Sequence, residues 1–165
     1  MKQFAIALIC ALTLSTVTFA DGTPSWIWLN DTVDDQKAWF RYEFDSPKRL
    51  AVARLTGAAD NQFTAFVNGE KVLQNDDWQQ VGSVNIEKYL TAGRNVVAVR
   101  AANKGGAAGM FCRITITHEN GNVSYHGTDG NWSSIGEPEP EPGWSRTGYA
   151  DSAWTASKVI GPVGA

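Results

Sequence analysis

Beyond residue 20 the apolar positions fall in short runs with a period of two and never settle into a helical period. Trp26-Ile27-Trp28-Leu29 predicts a first short strand. Ala38 to Asp45 predicts a second, with Trp39, Arg41 and Glu43 on one face and Phe40, Tyr42 and Phe44 on the other; Pro47 ends it. Arg49 to Thr56 alternates again. Phe63 to Asn68 and Lys71 to Leu73 read as a hairpin closed by Asn68-Gly69, a pair suited to a turn that needs positive φ at both central residues. Val84 to Leu90 predicts a strand running into a short turn, and Arg94 to Ala101 a buried strand. Met110 to Thr117 pairs with Asn122 to His126 through Asn120-Gly121. About eight short strands at close spacing, with no helical segment between them, predict an all-β, antiparallel β-sandwich of the jelly-roll kind.

The N-terminus reads differently. Lys2, the apolar run Phe4 to Leu14 and Thr18-Phe19-Ala20 form the three parts of a secretory leader, which predicts cleavage after Ala20 and a secreted or periplasmic protein. The run is too short for a membrane span, so none is expected. Residues 21–165 are then one domain, with an exposed Pro/Glu loop at 137–143 (Glu137-Pro138-Glu139-Pro140-Glu141-Pro142) inside it rather than after it, because Trp144 and Tyr149 to Trp154 resume an aromatic pattern. Removing the leader also removes Cys10. Cys112 then stands alone in an apolar run, which predicts a buried, inert thiol and no internal disulfide. The net charge of −3 argues against nucleic acid as a partner.

The order of several short motifs resembles the galactose-binding-like jelly-roll domains attached to bacterial glycoside hydrolases, as in β-galactosidase-type enzymes and α-L-rhamnosidases. The motifs are Trp26-Ile27-Trp28, Phe40-Arg41-Tyr42-Glu43-Phe44, Ala59-Asp60-Asn61-Gln62-Phe63, Phe66-Val67-Asn68-Gly69, Gly93-Arg94-Asn95, Asn103 to Gly109, Thr128-Asp129 to Trp132, and Asp151 to Trp154. The resemblance runs from about Trp26 to the C-terminus. It implies a carbohydrate-binding or accessory module, with a glycan as ligand and a catalytic protein as an optional partner. A structural or protein-interaction sandwich, a remnant of a larger glycoside hydrolase, is the alternative.

Catalytic patterns are missing. There is no Gly-x-Ser-x-Gly elbow, Lys104 precedes rather than follows the glycines of a phosphate loop, and His118 and His126 flank a hairpin turn where no cysteine or carboxylate beside them completes a metal-ligand set. No catalytic residue is expected. Seven tryptophans are many for one domain, and an exposed indole matches the C–H face of a pyranose. Trp78 and Trp132 are the candidates for that role. Asp60, Asn61, Asn103 and Asp129, with Asn131, are expected at one loop end, where they either hydrogen-bond sugar hydroxyls or cap strands and tie loops to the backbone. No cofactor is expected. A structural Ca2+ would draw on Asp31, Asp34 and Asp35 or on Asp76 and Asp77, but no EF-hand spacing exists.

Overall fold

The computed structural model describes residues 22–164; the leader expected at residues 1–20 lies outside them. Twelve strands form two antiparallel sheets: β1 (Ser25–Trp28), β2 (Gln36–Ser46), β3 (Leu50–Asp60), β4 (Gln62–Val67), β5 (Glu70–Asn75), β6 (Gly82–Asn85), β7 (Gly93–Asn103), β8 (Gly109–His118), β9 (Val123–Gly127), β10 (Ser133–Gly136), β11 (Thr155–Ala156) and β12 (Lys158–Pro162). One sheet has the order β12-β1-β8-β3-β6, with β9 paired to the far half of β8. The other runs β11-β10-β2-β7-β4-β5. The expected β-sandwich is therefore present. Among the described residues no helix is long and apolar enough to cross a membrane.

The alternation of β2 sets the two sides of its sheet. Phe40 and Phe44 enter the core between the sheets, with Tyr42 packed against it. The opposite face is also covered. Trp39 is buried there with Ala98 and Trp144, and Phe66, Ile135, Tyr149 and Trp154 pack around them. The segment after the Pro/Glu loop makes this second core by folding back over the sheet. Arg41 fastens it: its guanidinium is 2% exposed and donates to Asp151 (2.6 Å), Glu43 (3.2 Å) and the Tyr149 and Arg146 carbonyls. A cation this deeply buried persists because carboxylates and carbonyls replace its water.

Asn68 and Gly69 take φ of 51° and 91°, the geometry their types favour. The Asn68 amide also ties the end of β4 to the start of β7 and to the helical turn at 87–89: it donates to the Tyr89 carbonyl and to Asn95 Oδ1, both at 2.8 Å, and accepts from the Val96 N–H at 3.0 Å. Replacing Asn68 with Ala leaves those partners unmatched and puts at positive φ a residue that tolerates it less well than Asn. It is expected to cost about 2 kcal/mol of unfolding free energy in a denaturant titration.

The histidines are not cross-strand partners. His126 pairs with Ile114, and His118 Nε2 lies 3.0 Å from Ser124 Oγ. His126 packs on Phe44 (4.9 Å between ring centroids) and Tyr42, and burial holds its imidazole below the ordinary 6.5 while Asp45 pulls it up. The unfolded chain thus takes up the proton first, so stability falls as pH drops through about 6.5 towards the folded value. The melting temperature should be lower at about pH 5 than at about pH 7, and the difference should shrink in His126→Gln. An equal difference in both proteins would assign the effect to other groups.

Candidate functional site

Six of the seven tryptophans are buried or half-buried, and Trp78 alone is exposed, at 48%. It stands on the loop between β5 and β6. Asn75 accepts from the Asp77 N–H and donates to the Gln80 carbonyl, while Asp77 accepts from the N–H of Gln79 (3.0 Å) and from the Gln80 side chain (3.1 Å). The carboxylate beside Trp78 therefore shapes the loop that presents the ring.

Trp78 forms one wall of a hollow of about 280 Å³ lined by Trp26, Asp60, Ala107, Ala108, Gly109 and Ile160. Asp60 ends β3 opposite Gly109, the first residue of β8. Small residues at 107–109 keep this floor open: a Cβ on Gly109 would stand 3.1 Å from the Trp26 ring. The glycine-rich turn before them is tied from three sides. Asn61 Oδ1 accepts from the Lys104 N–H (2.7 Å), Asn103 Oδ1 from Gly105 (3.1 Å) and Asp34 Oδ1 from Gly106 (3.1 Å), where φ of 77° favours glycine.

The expected site residues thus separate. Asp60 and Trp78 share the hollow. Asn61 adjoins it but gives its oxygen to Lys104. Asn103 is a correction: it is 1% exposed, and its amide is occupied by Gly105 and by the Val33 carbonyl at 3.3 Å, so it ties loops rather than meeting a ligand. Trp132 is a second correction. It is fully buried, stacked on Tyr42 (5.5 Å, 12° between planes), with Nε1 donating to the Gly127 carbonyl at 3.1 Å, so neither ring face is free. Asp129 is exposed but stands apart from Asp60. It lies on the crossover from β9 to β10, where Thr128 N–H reaches the Cys112 carbonyl and Ser133 pairs with Arg41, midway along the strands. Its carboxylate holds Asn131 through the N–H (2.8 Å) and side-chain amide (3.0 Å), and its charge adds to burial in raising the Tyr42 phenol. Sequence reasoning missed Trp26 and Ile160 as lining residues. They meet only because β1 pairs with β12, from opposite ends of the chain.

Cys112 is fully buried, and burial pushes its thiol far up from its ordinary value, so no nucleophile is available there. Among the described residues no three His, Cys, Asp or Glu side chains cluster as a metal set.

No protein-family model matches the chain. It is 31% identical to an α-L-rhamnosidase of Streptomyces avermitilis, over 86% of this chain and 15% of that protein. The crystal structure of the S. avermitilis α-L-rhamnosidase complexed with L-rhamnose superposes with a TM-score of 0.81 and 29% identity, again covering 87% of this chain and 15% of that one. The chain is a galactose-binding-like β-sandwich. This galactose-binding-like domain is similar to a lectin of Pleurotus ostreatus as well, with a TM-score of 0.72 and 28% identity over 84% of its own length and 41% of the lectin. It spans about 15% of the rhamnosidase it matches, a small domain's share of a larger protein.

Proposed function

We propose that this galactose-binding-like domain is an exported, non-catalytic carbohydrate-binding module, and that a sugar sits in the hollow between Trp26 and Trp78. The observation that carries the reading is the pairing of an exposed indole with a carboxylate over a floor of Ala107, Ala108 and Gly109. A pyranose has an apolar C–H face for Trp78 and hydroxyls for Asp60, and the small floor residues let it approach the backbone. The lectin likeness and the rhamnose-bound rhamnosidase structure support a sugar ligand. The leader pattern at residues 1–20 supports export. The absence of a Gly-x-Ser-x-Gly elbow, the inert Cys112 and the small share of the rhamnosidase support a module that binds without catalysing.

Titration with L-rhamnose and with N-acetylgalactosamine, followed by tryptophan fluorescence, tests the reading. A saturable change for either sugar is expected. No change with either, together with no retention on a glycan array, would reject it.

A further inference from the structure

The apolar surface does not stop at the Trp78 hollow. A second hollow of about 190 Å³ lies on the outer face of the same sheet, lined by Pro24, Thr56, Val81, Phe111, Arg113 and Val163. The two share both walls. The β5–β6 loop gives Trp78 to the first and Val81 to the second; the chain through β12 gives Ile160 to the first and Val163 to the second. Their floors touch, because Trp26 meets Phe111 edge-on with ring centroids 4.9 Å apart. Trp78, Val81 and Ile160 are each about half exposed, at 48%, 56% and 53%, and grouped exposed apolar side chains of this kind mark a binding surface.

We propose that the hollows form one groove, and that its ligand is a glycan of at least two sugar units. This rests on the carbohydrate reading above. The first unit stands between Trp78 and Asp60, and the second lays an apolar ring face on Phe111 and Val81. An extended peptide fits poorly. The groove lies on the face of β1, β8 and β3, each hydrogen-bonded to strands on both sides, so its floor offers no backbone edge for a peptide to join. A sugar needs no such edge: its ring face covers the apolar floor while its hydroxyls keep contact with water and with the Thr56 side chain at the margin.

Calorimetry on the intact chain separates the outcomes, using L-rhamnose, N-acetylgalactosamine, an α-linked rhamnobiose and an α-linked N-acetylgalactosaminyl-galactose. One disaccharide is expected to bind about tenfold tighter than its own first sugar, the gain from burying one more ring face. Val81→Asn, a change at an exposed position that leaves the fold intact, should remove that gain and leave monosaccharide affinity unaltered. A monosaccharide that binds with no gain from the second unit overturns the groove and leaves the single-sugar site standing. A gain that survives Val81→Asn overturns it too. Binding of none of the four, together with no retention on a glycan array, overturns both readings.

Discussion

Replacing Trp132 with Ala should lower the unfolding free energy by roughly 3–5 kcal/mol and the melting temperature by on the order of 10 °C. The indole fills space between the sheets, stacks on Tyr42 and satisfies the Gly127 carbonyl. Alanine removes the volume, the stack and the hydrogen bond together, and the crossover from β9 to β10 is pinned on both sides by strands that cannot collapse inward. Trp132→Phe keeps much of the volume and should fall between the two, the residue being the unmet carbonyl. Thermal and denaturant unfolding measure this directly. A loss below about 1 kcal/mol for Trp132→Ala would mean that the ring is not part of the core.

Trp78→Ala should do the opposite. Its side chain is half in solvent, so stability should stay within about 0.5 kcal/mol of the parent. Sugar affinity should fall by about thirtyfold, the scale of losing a central aromatic anchor of some 2 kcal/mol. The loop around it is held by Asn75, Asp77 and Gln80, not by the indole, so the hollow loses a wall without losing its frame. Unfolding curves together with a sugar titration make the comparison. Undiminished affinity would place the ligand elsewhere.

These two tryptophans show where a linear reading runs out. Both follow acidic, turn-forming residues: Asp76-Asp77 before one, Asp129-Gly130-Asn131 before the other. Locally they are equivalent. What separates them is the chain that passes over them. Trp132 is roofed by Tyr42, ninety residues earlier, whereas Trp78 stays 48% exposed. Asn61 and Asn103 differ from a ligand-binding pair for a similar reason, since the groups that occupy their amides lie on other loops. The long strands β3 and β8 were legible because burial on one face imposes alternation over many residues, β2 because its residue types alternate, and β7, covered on both faces, as a continuous apolar run. The turn at Asn68-Gly69 was legible because its geometry depends on two neighbouring residues alone. Strands β10, β11 and β12 are two to five residues long, too short for a period to show. They exist because β2, β10 and β1 offer free edges to pair with.

The pairing of β1 with β12 has a mechanical consequence. Ser25 lies opposite Pro162, and the Val163 N–H donates to the Pro24 carbonyl at 3.0 Å, so the chain enters and leaves this seam at the same point. Tension applied between the two flanks would load those hydrogen bonds one after another, as a zip opens, rather than all together in shear. β12 borders the sheet with β1 as its neighbour on one side and none on the other, so it would peel first. It carries Ile160, a wall of the Trp78 hollow. Pulling on the chain from outside would thus dismantle the Trp78 hollow before the sandwich itself gives way.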